Sequence, residues 1–117
     1  MLSPQNRMTR SIDFGETVRH GNRVVQPDLV IHLRRTSDST APKVGLIIAK
    51  SVGSAVQRHR VARRLRHVAR GIVGDLDRCE QLVIRALPSS RDAVWADLER
   101  QLRTGLSRIH RSRGSVR

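Results

Sequence analysis

Apolar residues recur along this chain at two different spacings, and the spacings predict an alternation of helices and strands. The segment "SIDFGETVRHG", residues 11–21, has the pattern of a short helix, with Ser11 as its N-cap and Gly21 as a left-handed exit. The segment "VVQPDLVIHLRR", residues 24–35, has the alternating pattern of a strand. The run "KVGLIIAK", residues 43–50, is mostly apolar, which is typical of a strand buried on both faces.

The next segment, "KSVGSAVQRHRVARRLRHVAR" at residues 50–70, is predicted to contain an amphipathic helix that starts after Gly53. At 100° per residue, its apolar side chains fall within about 40° of one mean direction. They are Val61, Leu65, Val68 and the following Ile72. Ser54 is the predicted N-cap. The unpaired N–H groups of the first turn could hold a phosphate beside Lys50 and Arg58. Because a disordered basic tail would lack the apolar period, we expect this helix to dock on a sheet.

Two further elements complete the pattern. "QLVIRAL", residues 81–87, is predicted to be a strand that ends before Pro88. "SSRDAVWADLERQLRTGLSRIHR", residues 89–111, has the period of a helix, with Ser89 or Ser90 as its N-cap. The predicted buried stripe of this last helix comprises Val94, Trp95, Leu98, Leu102, Leu106 and Ile109.

The order of elements is therefore helix, strands, helix, strand, helix, and residues 43–87 form a strand–helix–strand unit. This order predicts an α+β fold, a two-layer α/β sandwich with helices packed against a sheet. With 117 residues the chain fits a single domain, residues 1–117. We expect residues 1–10 to form a flexible basic arm and residues 111–117 to form a basic tail.

Composition adds a strong positive charge to this picture. The 23 Lys and Arg residues outnumber the 10 Asp and Glu residues, which gives a net charge of +13. A polyanion would relieve this self-repulsion and release counterions, which favours a nucleic acid over an anionic membrane or no charged partner at all. No stretch has the length of a membrane span. Cys79 is the only cysteine, which suits a reducing compartment, and we expect a cytoplasmic protein.

The positive charge is concentrated on the predicted helix, opposite its apolar stripe, at His59, Arg63, Arg66 and Arg70. A solvated helix face is the alternative interpretation. Solvated faces usually mix signs, however, and no Asp or Glu occurs at residues 39–74. Because like charges three or four residues apart repel, this arrangement favours a phosphate-binding face. The charges are almost all arginine, whose planar fork chelates phosphate, and A-form RNA is recognised largely through shape and backbone.

The stretch "GSAVQRHRVARRLR" resembles the RNR-motif helix of the protein subunit of bacterial ribonuclease P, whose pattern is approximately Gly-Asn-Ala-Val-x-Arg-Asn-Arg. The matching residues are Gly53, Ala55, Val56, Arg58 and Arg60. The preceding "VGLIIAKSVG" is similar to the strand that leads into that helix. Upstream, "NRMTRSIDFGETVRHG" is similar to the N-terminal segment of the family, with Asn6, Arg7, Phe14, His20 and Gly21 in register. The similarity covers residues 5–88.

Two residues depart from the family pattern. Ser54 stands where the family usually has Asn, and both residues are good N-caps. His59 stands where the motif has its central Asn. Histidine can also donate and accept hydrogen bonds, but its charge depends on pH near neutrality, so the contact at this position differs in chemical kind.

The resemblance implies a ribosomal-protein-S5-domain-2-like form of the sandwich and an RNA-binding role for the whole domain. In this family a catalytic RNA removes the 5′ leader from precursor tRNA by metal-dependent hydrolysis. The protein binds that RNA and holds the leader in a cleft between the sheet and the N-terminal helix. The implied RNA contacts are Lys50, Arg58, His59, Arg60, Arg63, Arg64 and Arg66. The implied leader cleft comprises Arg7, Phe14, Val18, His32, Ile47 and Ser51.

Some of these assignments have an alternative. Phe14 and Val18 are an apolar pair four residues apart, which belongs equally well to a core or to a cleft. Family members often carry aromatic residues at the positions of Val18 and His32, so we expect weaker stacking of the leader here.

The implied partners are ribonuclease P RNA and precursor tRNA, with no membrane and no obligate protein partner. Mg²⁺ is expected in the ribonucleoprotein, with no cofactor bound by protein ligands alone. The two acidic pairs, Asp13 with Glu16 and Asp75 with Asp77, lack further ligands at metal-site spacing, so we expect no catalysis by the protein alone. A structural RNA binder or RNA chaperone of ribosomal-protein type remains an alternative. A DNA-binding regulator is disfavoured because an apolar strand precedes the basic helix where a helix-turn-helix partner would stand.

Overall fold

A four-stranded sheet with the strand order β1-β2-β4-β3 organises the chain. The structure is a computed structural model that describes residues 2–37 and 40–114. The helices are α1 (Ser11–His20), α2 (Ala55–Ile72) and α3 (Trp95–Gly114), and the strands are β1 (Asn22–Val25), β2 (Leu29–Arg35), β3 (Lys43–Ile47) and β4 (Glu80–Ala86). The predicted α+β sandwich and its order of elements are confirmed.

The sheet combines an antiparallel hairpin with a parallel crossover. β1 and β2 pair antiparallel, and the Gln26 N–H donates to the Leu29 carbonyl at 2.8 Å to close the hairpin turn that contains Pro27. β3 pairs parallel with β4, as expected for the strand–helix–strand unit. The single strand predicted from residue 24 is wrong at its start, because Val24 and Val25 belong to the separate strand β1.

The main core lies where α2 and α3 pack against one face of the sheet. The predicted stripe of α2 is buried in full, from Val61 to Ile72. The sheet contributes the inward residues of its two central strands, Leu29, Ile31, Leu33, Leu82 and Ile84, to the same cluster. The alternation predicted for β2 is therefore confirmed on this face.

β3 is less buried than its apolar sequence predicts. Val44 and Gly45 are buried, but Leu46 and Ile47 are only half-buried. The reason is that β3 is the last strand of the sheet, and on the side away from β4 the N-terminal segment reaches it only near Val44, through a bridge with Arg7. The prediction of burial on both faces is therefore wrong for the second half of this strand.

The start of α3 also differs from the prediction. Residues 88–92 form a 3-10 turn and α3 begins at Trp95, so neither Ser89 nor Ser90 is its N-cap. The stripe from Leu98 to Ile109 is buried as predicted, but Val94 is 61% exposed and Trp95 is 41% exposed. Both predictions of burial are wrong because this end of α3 lies beside the polar flank of α2, where the Trp95 ring contacts a histidine ring.

The helix α1 lies where it is predicted, but the conformation at each of its ends differs from the prediction. Ser11 is its first residue rather than its N-cap, which is Arg10 without a side-chain hydrogen bond. Gly21 has φ −79°, an extended conformation, so the predicted left-handed exit is wrong. Glycine is needed there for a close approach instead, because a Cβ atom would lie 2.5 Å from the Thr17 carbonyl oxygen and 2.9 Å from that of Leu33.

The predicted flexible arm at residues 1–10 is attached to the sheet from residue 2 onwards. Leu2 and Met8 are buried. Lys43 Nζ donates to the Gln5 carbonyl at 2.9 Å, and Asn6 Nδ2 donates to a carbonyl before β3 at 2.8 Å. At the other end, α3 continues to Gly114, and residues 115–117 of the predicted basic tail lie outside the described residues.

The beginning of α2 is confirmed in detail. The Gln57 N–H donates to Ser54 Oγ at 3.2 Å, and the Ser54 N–H donates to Gln57 Oε1 at 2.8 Å, which together make a capping box. Gly53 before it has φ 155°, a conformation that residues with a side chain rarely adopt.

Replacement of the cap should lower stability without changing the fold. We expect Ser54→Ala to reduce the free energy of unfolding by about 1 kcal/mol, because it leaves an N–H of the first turn of α2 unpaired. Urea denaturation measures this change. Ser107→Ala, the same substitution at an exposed interior position of α3, is the matched control and should be neutral or slightly stabilising. Equal midpoints for the two variants would contradict the assigned cap.

Candidate nucleic-acid interface

The face of α2 that points away from the core carries a row of exposed basic side chains, called here the basic face. Its members are His59, Arg60, Arg63, Arg66 and Arg70. They are exposed because the helical period that buries the apolar stripe turns the intervening residues outward. The structure therefore brings together the central part of the predicted RNA-binding set.

The basic face has no acidic partner within residues 2–37 and 40–114. The acidic side chains that form ion pairs lie on other elements, and their basic partners are His20, Arg34, Arg35, Arg100, Arg103 and His110. The repulsion along α2 is thus left for an external anion to relieve.

Arg58 and Arg64, two further predicted RNA contacts, are half-buried and already make structural hydrogen bonds. Arg58 Nε donates to the Gly53 carbonyl at 3.2 Å. Arg64 Nη1 donates to the Arg91 and Ala93 carbonyls at 3.3 Å and 3.2 Å. These bonds attach the segment before α3 to the flank of α2. A guanidinium has five N–H donors, so each side chain keeps donors for a phosphate.

A pocket of about 350 Å³ opens between the N-terminal segment, α1 and β3. Its lining includes Arg7, Met8, Phe14 and Gly45. The Phe14 ring lies directly on the backbone of Gly45, so that any side chain at this glycine would collide with it. Arg66 from the basic face lines the same pocket. The predicted cleft and the predicted RNA-binding helix therefore meet at one arginine.

The other predicted cleft residues lie outside this pocket lining. Val18 and Ile47 are half-buried, and so is Phe14. The apolar pair Phe14 and Val18 on α1 therefore packs partly against the protein and remains partly accessible to solvent. Lys50 and Ser51 are exposed in the 3-10 turn that follows β3. This turn leads straight into the capped start of α2, which places both residues at the end of the basic face.

His32 is the predicted cleft residue whose environment is least expected. It is 2% exposed, and neither ring nitrogen has a hydrogen-bond partner in the described part of the chain. Burial lowers the pKa of His32 from 6.5, and the nearby Arg23 and Arg85 guanidinium groups lower it further. The imidazole is therefore neutral at pH 7 and offers no exposed ring face in this conformation.

Arg23 and Arg85 are basic residues on the cleft side of the sheet that sequence reasoning missed. Arg23 lies directly opposite His32 in the β1–β2 register, and Arg85 lies opposite Val30 and Ile47. Both arginines are exposed. The alternation in "QLVIRAL" could have identified Arg85 as an outward residue of a buried strand. The sequence gives no such indication for Arg23, because the strand predicted from residue 24 does not include it.

Neither a metal cage nor a membrane helix is present in the described part of the chain. Within residues 2–37 and 40–114, no three His, Cys, Asp or Glu side chains are grouped so that they could hold a metal ion. In the same residues, no helix has the length and apolar character needed to cross a membrane.

Comparison with known proteins identifies the family of the chain. The family model described as Ribonuclease P matches residues 2–110. The Ribonuclease P protein component of Mycobacterium ulcerans is 59% identical over 120 residues, with both chains covered completely. The Ribonuclease P protein component of Mycobacterium tuberculosis is 59% identical over 117 residues, again with 100% of both chains covered.

Solved structures share the fold at much lower identity. The RNase P protein of Staphylococcus aureus superposes with a TM-score of 0.76 at 18% identity, covering 87% of this chain and 93% of that one. The RNase P protein of Thermotoga maritima has a TM-score of 0.71 at 16% identity, covering 90% and 96%. Because the family model and relatives of full length agree, the chain belongs to the ribonuclease P protein family and is the protein subunit of this ribonucleoprotein endoribonuclease.

Proposed function

We propose that this subunit binds ribonuclease P RNA through the basic face of α2 and holds the 5′ leader of precursor tRNA in the neighbouring cleft. The observation that carries the proposal is the meeting of the two surfaces at Arg66, which belongs to the basic face and also lines the pocket beside Phe14. One rigid helix would thus fix the position of the leader relative to the RNA that cleaves it.

The basic face suits an RNA backbone for electrostatic reasons. Each phosphate neutralised by an arginine releases condensed counterions, and the bidentate fork adds directed hydrogen bonds. The free protein bears the repulsion among these side chains, since no acidic residue is paired with them in the described chain. Binding removes that repulsion, so affinity should depend strongly on salt.

The cleft suits an extended single strand more than a folded one. The pocket is lined by the Phe14 ring and the Met8 side chain, with Arg7 and Arg66 beside them for phosphates. Among the described residues that line this pocket, Phe14 carries the only aromatic ring. The ring of His32 is buried and is not available to the leader. Arg23 and Arg85 extend the positive charge along the exposed part of the same sheet face.

The described residues do not fit a protein-held metal site, so hydrated Mg²⁺ in the ribonucleoprotein would be held by RNA phosphates. The contribution of the protein is then binding and orientation. A cytoplasmic location, where the Cys79 thiol stays reduced, is part of the same proposal.

Reconstitution tests the function directly. Purified protein should stimulate removal of the 5′ leader when it is added to ribonuclease P RNA and precursor tRNA at low Mg²⁺. The reason is that its basic side chains replace part of the metal ions needed to hold the two RNAs together. Gel separation of leader and mature tRNA gives the rate. Failure to stimulate cleavage, with a protein that binds RNA and is folded, would favour the structural RNA binder or chaperone instead.

The basic face should determine the salt dependence of RNA binding. We expect Arg60→Ala with Arg63→Ala to lower the slope of log affinity against log salt by about one unit for each lost phosphate contact. Filter binding to ribonuclease P RNA at several KCl concentrations measures the slope. Arg64 is left intact because it also attaches the segment before α3.

The matched control for this measurement is Arg100→Ala with Arg108→Ala. It removes the same charge from exposed positions on α3. An equal change of slope in both double variants would mean that only net charge matters, and the basic face would lose its assignment.

The cleft should determine the preference for a long leader. We expect Phe14→Ala to weaken binding of precursor tRNA with a long leader by about tenfold, because it removes a ring on which a base can stack, with little change for a one-nucleotide leader. Ile12→Ala, an exposed apolar residue on the same helix, is the control and should leave both affinities unchanged.

An unaltered leader preference in His32→Ala would remove His32 from the cleft.

A further inference from the structure

The only tryptophan of the chain lies on the surface beside the basic face. Trp95 is 41% exposed and its neighbour Val94 is 61% exposed. Together the two side chains form a small exposed apolar patch, and an apolar patch rimmed by polar residues is typical of an interaction site. The position is not a consequence of a mobile chain end, because the same helix buries Leu98 and Leu102 completely.

Specific contacts hold Trp95 against α2. The centroids of the Trp95 and His67 rings are 5.4 Å apart, with the ring planes tilted by 60°. The Arg64 guanidinium fixes the preceding segment to α2 through the Arg91 and Ala93 carbonyls. The Arg91 side chain in turn donates to the Val52 carbonyl before α2, at 3.3 Å. These hydrogen bonds hold the segment just before Trp95 against one flank of α2 and against the turn that precedes the helix.

The flank of α2 that faces Trp95 continues the basic surface. At 100° per residue, Val56, Arg60 and His67 fall within about 20° of their mean direction. All three side chains are exposed. They form a stripe that starts near the capped end of the helix, passes Arg60 and ends at the indole. The stripe offers cations and an aromatic surface side by side.

The charges around the indole favour an anionic partner. Asp92, Asp97 and Glu99 are the nearby acidic residues on the same segment. Asp97 is paired with Arg100 at 3.1 Å and Glu99 with Arg103 at 3.9 Å. The adjoining α2 contributes only basic and apolar side chains over its whole length, Ala55–Ile72, apart from the capping residue Gln57. An acidic protein surface would meet the arginines but would not need the exposed indole. A nucleotide uses both, through its phosphate and the face of its base.

We propose that Trp95 and His67 form a stacking site for an unpaired base of ribonuclease P RNA, with Arg60 placed for the adjoining phosphate. The inference rests on the proposed function and extends the RNA-binding surface from α2 to the start of α3. Base stacking on an aromatic ring tolerates any base, so this site adds affinity and orientation rather than sequence specificity. The chain has few rings that could do this, since its aromatic content is 2%.

Intrinsic fluorescence tests the site, because Trp95 is the only tryptophan in the chain. Titration with ribonuclease P RNA should quench and shift its emission at the same RNA concentration at which filter binding saturates. We expect Trp95→Leu, which keeps apolar bulk but loses the ring, to bind the RNA about tenfold more weakly. Trp95→Phe should recover most of that loss. The salt slope should stay unchanged in both variants, since no phosphate contact is removed.

The controls separate this site from the proposed function and from a structural role. Val94→Ala, at the adjacent exposed position, should keep wild-type affinity. The stacking site alone would be overturned if RNA did not change the emission of the wild-type protein and Trp95→Leu bound RNA with wild-type affinity. The proposed function would stand in that case if the wild-type protein still stimulated cleavage. The stacking site would also be overturned if both Trp95→Leu and Trp95→Phe bound RNA weakly and both had lowered melting temperatures, because the role of Trp95 would then be structural. Emission that depends on protein concentration without RNA would assign the indole to a second copy of the chain instead.

Discussion

Packing of the apolar stripe of α2 on the sheet is the interaction on which the rest of the structure depends. Val61, Leu65, Val68 and Ile72 are buried against the central strands and α3. Burial of such a side chain contributes roughly 1.5–3 kcal/mol each. Because the helix is rigid, this packing also fixes which side chains point outward. The basic face is therefore a geometric consequence of the core, and its rotation about the helix axis would require moving every residue of the stripe.

The same helix carries an unfavourable electrostatic arrangement that the core must offset. Arginines three and four residues apart repel each other, and the acidic residues that form ion pairs in the described chain do so with basic residues outside α2. The capping box at Ser54 and the hydrogen bonds of Arg64 to the segment before α3 stabilise the helix at its start and along its flank. Such a surface is unfavourable in the free protein, and the RNA that we propose it binds would relieve the repulsion.

The cleft depends on a second set of contacts, which are long-range in sequence. The N-terminal segment reaches β3 through Lys43 and Asn6, and this brings Arg7 next to the edge of the sheet. Gly45 lets the Phe14 ring lie on the backbone of that edge strand. Arg66 then closes the pocket from the side of α2. Three parts of the chain that are far apart in sequence thus make one surface, and Phe14 both packs on β3 and lines the pocket.

The sequence by itself determined the fold class, the cap of α2, its buried stripe and the direction of its basic face. These properties follow from the helical period and from local hydrogen bonds between neighbours such as Ser54 and Gln57. Only the tertiary structure decided that Val24 and Val25 form a strand of their own, and that the arm is attached. It also decided that His32 is buried with no hydrogen-bond partner among the described residues and that Trp95 is exposed. Those outcomes depend on which distant segment covers each residue. The local sequence around an apolar or aromatic residue does not show whether that residue lies inside the core or at its edge.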